Sequence, residues 1–268
     1  MTFTEAERDR LTKIETKVYR DLYRIAQPRF GSGWIEVDAA SAVWMPGDED
    51  PDCSCIVGLG DCADPARVVA EIEAAARAGG ATILAVDPGR ADAPKLGHDW
   101  LVARGFEPAY KECVWARSLS RPMEPPPAPE GVTLRRPTKD EADLYAWTLN
   151  TGFGYPPDHV RGQAVALAIG APGWFHYLVE VDSEPAGASC MMTVDGVAHL
   201  LMAATIPAYR GRGAQRLVVH QRLLDGVNAG CDAAASITVA DNASPRNMGR
   251  AGFELLHERW LYAKQLTS

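Results

Sequence analysis

Apolar positions recur at helical spacing in some stretches and alternate in others, and these patterns divide the chain before any chemistry is considered. Leu11, Ile14, Val18 and Leu22 share one face of a helix that Thr4 and Glu7 open as a capping box. From Asp64 the signals run in order: Asp64 as N-cap, Pro65 at the first helical position, Val68, Val69 and Ile72 as an apolar stripe, and Gly79-Gly80 as a stop. A buried strand over 82–86 follows, then a short helix near 94–104 and a strand through 110–119.

The second half opens with a helix at Thr138 and Glu141 and a further helix over 156–169. Strands are predicted at 175–181, 186–193 and 197–206, with turns at Ser183-Glu184-Pro185 and Asp195-Gly196. A helix over 214–229, a stop at Gly230, a strand over 233–239, a short helix over 244–251 and a strand over 259–265 complete it. A meander feeding a helix, a strand, a helix and a strand predicts an α/β fold, an α+β mixed sheet. Arg104-Gly105-Phe106-Glu107 and Ala251-Gly252-Phe253-Glu254 hold the same place in each half, which predicts one fold copied in tandem. Five prolines between 118 and 131 cannot sustain a helix or central strand, so the predicted domains are 1–120 and 131–268, joined by a Pro-rich linker over 121–130.

Charge narrows the partners. With 27 basic and 35 acidic residues the net charge is −8, which argues against nucleic acid or an anionic membrane surface. The first 24 residues are too charged for a signal peptide and no run of about 18 apolar residues occurs, so a soluble cytoplasmic protein is expected. Six scattered cysteines suit a reducing compartment as free thiols. Cys53, Cys55 and Cys62 lie close together, but the nearest histidine is His98 and no fourth ligand falls at usable spacing, so no metal is expected.

The stretch that carries chemistry is Thr205 to Gln215, TIPAYRGRGAQ, where a strand ends, an Arg-Gly turn follows and a helix begins. Glycines let several backbone N–H groups converge, the helix start adds partial positive charge, and Arg210 and Arg212 add full charge, so Arg210, Gly211, Arg212, Gly213, Ala214 and Gln215 form a candidate pyrophosphate site. The alternative is an exposed basic turn that binds nothing.

On these residues the chain resembles the GNAT superfamily of acetyl-CoA-dependent N-acetyltransferases. Arg210 and Gly213 match its signature of Arg or Gln, two residues, Gly, one residue, then Gly or Ala; Gln215 stands at the last position instead. SPRNMGRAGF, 244–253, is similar to the superfamily's closing helix with its terminal Gly-Phe. The resemblance implies two tandem GNAT-like domains, the first a degenerate copy whose turn, Gly60-Asp61-Cys62-Ala63-Asp64, carries two acids and no arginine. It implies acetyl-CoA as co-substrate, an arm of pantetheine pairing with the strand from Met202 through Ala203 and Ala204 to Thr205, and direct transfer to the amine of a small-molecule acceptor. A homodimer is compatible with it.

His199, 11 residues before Arg210, holds the place where one branch of the superfamily carries a catalytic glutamate, and an imidazole there is a candidate general base. Glu180 and His176 on the preceding meander are further candidates. Each also reads as a hydrogen-bonded strand residue. The superfamily's tyrosine acid falls at Met248, so that acid is absent. Asn242 and Asn247 stand where members hold the pantetheine arm, and both equally suit caps and turns. Two other function classes compete. Gly58, Gly60 and Ala63 fit a G-x-G-x-x-A dinucleotide pattern, but Asp61 and Asp64 would repel the pyrophosphate. A non-catalytic acyl-CoA-binding module is the second, because a copied fold can keep binding and lose chemistry.

Overall fold

The structure, a computed structural model, describes residues 3–89, 95–120 and 126–266. The first half runs α1 (Glu5–Phe30), β1 (Gly33–Val37), β2 (Ala40–Trp44), β3 (Cys55–Val57), α2 (Pro65–Ala78), β4 (Ile83–Val86), α3 (His98–Val102) and β5 (Glu107–Ser118). The second runs β6 (Val132–Arg135), α4 (Ala142–Phe153), α5 (Val160–Ala166), β7 (Trp174–Val181), β8 (Glu184–Val194), β9 (Val197–Thr205), α6 (Ala214–Asn228), β10 (Ala233–Val239), α7 (Ser244–Arg250) and β11 (Glu254–Gln265). Among the described residues no helix is long and apolar enough to cross a membrane.

The chain forms two compact units that are not contiguous in sequence. The C-terminal unit comprises Met1–Val18, Trp115–Ile237 and Arg246–Glu254; the N-terminal unit comprises Tyr19–Val114, Thr238–Pro245 and Leu255–Ser268. This grouping differs from a cut between 1–120 and 131–268. The prolines govern how the chain connects, whereas backbone pairing decides which sheet a strand completes. β11 pairs antiparallel with β4, from Tyr262 opposite Val86 to Gln265 opposite Ile83, and so closes the N-terminal unit. Residues 121–125 of the expected linker, and Pro94 at the expected start of the 94–104 helix, lie outside the described residues.

Each unit repeats one arrangement. In the N-terminal unit the strand order is β1-β2-β3-β4-β11-β5, with β1, β2 and β3 antiparallel neighbours and β3 parallel to β4 across α2. In the C-terminal unit the order is β6-β7-β8-β9-β10 and then the end of β5, with β6 to β9 antiparallel and β9 parallel to β10 across α6. Both are mixed sheets, and a parallel pair needs such a helical crossover.

Local chemistry explains the element ends. The Thr4 amide donates to the Glu7 carboxylate at 2.7 Å and the Glu7 amide to the Thr4 hydroxyl at 3.3 Å, which opens α1. Asp64 accepts from the Arg67 amide at 3.1 Å to cap α2. α5 is shorter than the predicted 156–169 because Pro156 and Pro157 precede it and the His159 ring caps it by accepting from the Arg161 amide. The hairpin between β7 and β8 turns on Asp182 and Ser183, both with positive φ, one residue earlier than predicted.

In the C-terminal unit, β7 shows the two-layer packing. Tyr177 donates to Asp225 of α6 at 2.6 Å on one face. His176 faces the other way, its Nε2 3.0 Å from the Val165 carbonyl of α5 and its ring edge-on to Tyr145 of α4. Burial holds the His176 pKa down, to about 4, so the native ring stays neutral while the unfolded one protonates. This contribution is complete above pH 6.5 and is lost as the pH falls from there toward 4, a loss of about 3 kcal/mol. Urea melts of wild type and His176→Phe between pH 7.5 and 4.5 should show a flatter pH dependence of stability in the variant.

Candidate active site

The site is built on the end of β9. Its parallel ladder with β10 holds only from Val197 opposite Ala233 to Leu200 opposite Ser236, where the Ser236 hydroxyl donates to the Leu200 carbonyl at 3.0 Å. Among the described residues, β9 pairs from Leu201 to Thr205 only with β8. The β8 register also slips: Ser189 faces Ala203 while Cys190 faces Leu201, so Met202 is an extra residue, with φ +46°. A bulge of this kind bends its strand and increases local twist. Gly152 of α4 lies so near that a Cβ there would stand 2.8 Å from the Ala204 Cβ, so only small residues fit on either side.

Past Thr205 a single 3₁₀ turn, Pro207–Tyr209, leads to Arg210. The Arg210 guanidinium donates to the Thr205 carbonyl at 3.1 Å and to the Gly152 carbonyl at 3.2 Å, tying the loop to β9 and α4. Arg212 pairs with Asp182 at 3.3 Å across an exposed surface. Gly211 and Gly213 have φ of +81° and +86°, a conformation that glycine adopts without steric cost. α6 then starts at Ala214 with no side-chain cap and no acidic residue in its first turn. Its first N–H groups, beside two arginines, are ready for an anion.

The corresponding turn of the N-terminal unit is closed. There α2 is capped by Asp64, a Cβ on Gly60 would lie 2.2 Å from the Lys95 Cβ, and the Lys95 ammonium pairs with Asp61. The lysine stem covers the loop glycine and the aspartate cap satisfies the helix start.

No family model matches the sequence, and no curated protein matches it. Solved structures do. A GCN5-related N-acetyltransferase from Sphaerobacter thermophilus is similar with a TM-score of 0.63 at 18% identity, over 86% of this chain and 78% of that one. A second, from Kribbella flavida, gives 0.62 at 16% identity over 94% and 95%. A tandem GNAT protein from the clavulanic acid biosynthesis pathway gives 0.58 at 14% identity over 96% of both chains.

The chain has the GCN5-related N-acetyltransferase fold, in tandem.

Of the GNAT-type site residues expected from sequence, Ala203, Ala204, Thr205 and the loop Arg210–Gln215 come together around the end of β9 and the start of α6. His199 does not join them: it is 3% exposed and stands within the ladder, opposite Met192 on one side and Ala235 on the other. Glu180 lies on β7, held by Arg135 at 2.7 Å and by the Thr133 hydroxyl at 3.3 Å. Asn242 accepts from the Ser244 amide at 2.8 Å, a turn that opens α7, and Asn247 lies within α7. Met248 is buried. On α4, Trp147 and Phe153 are exposed, and past it Tyr155 stacks on His159 at 4.5 Å with Arg161 over its ring.

Three features escaped the sequence: the bulge at Met202, the Ser236 hydroxyl at the ladder's end, and Gly152 beneath β9. Gly152, directly before Phe153, carries a readable signal, since a glycine near a helix end suggests a stop or close backbone approach. Gly213→Ala should destabilise the protein by about 1–2 kcal/mol, because an L side chain resists this φ and the new Cβ would meet Pro129 at 2.7 Å. Chemical denaturation checks it.

Proposed function

We propose that the C-terminal unit binds acetyl-CoA and transfers its acetyl group to the amine of a small molecule. One observation carries the reading: β9 leaves β10 after Leu200, and the same strand ends at an uncapped, arginine-flanked helix start. An unpaired strand edge suits an arm with amide groups, and the helix start suits a pyrophosphate. Backbone groups of Ala203, Ala204 and Thr205 would hold the arm, and N–H groups of Gly213, Ala214 and Gln215, with Arg212, the phosphates. Acetyl-CoA supplies an acyl group already activated as a thioester.

An attacking amine must be neutral, which calls for a base. We propose His199 for it on its place in β9, on the face shared with Cys190 and His176 that α4 and α5 cover. The aromatic residues Trp147, Phe153 and Tyr155 support an acceptor with an apolar body. The burial of His199 and Met248 favours a second reading, a module that binds acyl-CoA without turnover. Release of CoA across a panel of amines separates the two, since only an enzyme turns over.

Titration calorimetry should find one acetyl-CoA per chain, because the N-terminal turn is filled by Lys95. Arg212→Ala should weaken binding by about 1.5 kcal/mol, the low end for a charge-assisted bond because the site is exposed. Two sites per chain, or unchanged affinity in the variant, would count against the assignment. With a working acceptor, His199→Gln should keep acetyl-CoA affinity and lower turnover by about 10² to 10⁴-fold, the range for a lost base. Turnover equal to wild type would return His199 to the core.

A further inference from the structure

We infer that Arg222 of α6 is a positioning residue that fixes the open edge of β9 for the pantetheine arm; this rests on the acyl-CoA reading above. Arg222 is a large, fully buried side chain, 1% exposed, on the apolar face of α6 beside Val218, Val219 and Leu223. Its Nη1 donates to the Cys190 carbonyl at 3.2 Å and to the Leu201 carbonyl at 3.4 Å, and its Nε to the Val218 carbonyl at 3.4 Å. Cys190 and Leu201 are the facing pair beside which Met202 is extruded.

The placement answers a specific need. A bulge disrupts the ladder, so carbonyls beside it lose their strand donors, and buried carbonyls require replacements. A single Nη1 between the two supplies one to both, and the Cys190 thiol adds a weak bond to Leu201 at 3.7 Å. Among the described residues no carboxylate lies within 4 Å of Arg222, and burial lowers its pKa. An apolar side chain would fill the same space without burying a charge, so the carbonyls account for an arginine here.

Without it, the strand can satisfy those carbonyls by drawing Met202 back into register. A one-residue shift turns each following side chain to the opposite face. Ala203, Ala204 and Thr205 would then present different backbone groups along the edge. Beyond the Arg210 bond to Thr205, the loop is held by bonds that do not involve residues 203–205: from Arg210 to the Gly152 carbonyl at 3.2 Å, from the Ile206 amide to the Ala186 carbonyl at 2.8 Å, and within its 3₁₀ turn. Loss of Arg222 therefore harms binding of the arm more than binding of the phosphates.

The test compares two probes by calorimetry: CoA, and 3′-phospho-ADP, which has the pyrophosphate and no pantetheine. Arg222→Met should weaken CoA by about 10-fold, the loss of one or two backbone hydrogen bonds, and leave 3′-phospho-ADP within about 2-fold. Arg222→Lys, which keeps the charge and one donor to a carbonyl, should fall between wild type and Arg222→Met. If Arg222→Met does not fold, Arg222→Lys carries the comparison, with CoA weakened several-fold and 3′-phospho-ADP unchanged. Equal loss of both probes in a folded variant, or full CoA affinity in both variants, overturns the role of Arg222 alone. Wild-type protein that binds neither probe overturns the cofactor reading and this role together.

Discussion

A strand buried between neighbours carries one N–H and one C=O per residue, and each must find a partner on one side or the other. β9 meets that demand from both sides only as far as Leu200. Beyond it, β8 serves one edge and, among the described residues, no strand serves the other, and the surrounding structure is arranged around that fact. Ser236 closes the final rung with its hydroxyl, the Ile206 amide reaches back to Ala186, and Gly152 lets α4 lie against Ala204. An open edge usually invites aggregation and is blunted or covered. This one is short, five residues, and ends directly in the loop that turns into α6.

The two units show how one backbone plan can carry opposite local chemistry. α2 follows a strand, left-handed Gly58 and a 3₁₀ turn, and α6 follows a strand, a 3₁₀ turn and left-handed Gly211 and Gly213, so the two starts share parts in a different order. Asp64 then spends its carboxylate on the α2 start, and Lys95 lies over Gly60 and pairs with Asp61. α6 has neither cap nor acid. Fold similarity at 14 to 18% identity therefore says little about either copy's chemistry, and it is at the two helix starts that their side chains differ.

Much of this was legible because caps and turns are written in single residue types. Thr4-Glu7, Asp64-Pro65 and Thr138-Glu141 each placed a helix start, and Gly211 and Gly213 marked the loop. β1 to β3 were not found: their hairpin turns on Asp38 and Ala39 without the usual Asn-Gly signal, and β3 has three residues. The bulge was invisible because Leu-Leu-Met-Ala-Ala-Thr reads as any buried strand, and only packing gives Met202 its positive φ. β11 was read as a strand, but no property of its sequence names β4 as its partner. Arg222 went unread in the sequence, and only the structure shows the Cys190 and Leu201 carbonyls to which it donates.

The two loop arginines, equal in the sequence, are unequal in the structure. Arg210 is committed to two backbone carbonyls, which shapes the loop while leaving its charge uncompensated, since no carboxylate lies within 4 Å among the described residues. Arg212 is paired with Asp182, both side chains well exposed, and such a pair contributes little stability. Its guanidinium can exchange that partner for another anion at small cost. A fixed charge that forms the loop and a mobile one that can change partners together place positive potential at the α6 start, on a chain whose net charge is −8. A net charge of −8 argues against nucleic acid and anionic membrane surfaces as partners, but a site of six residues is governed by its own charges and backbone dipoles.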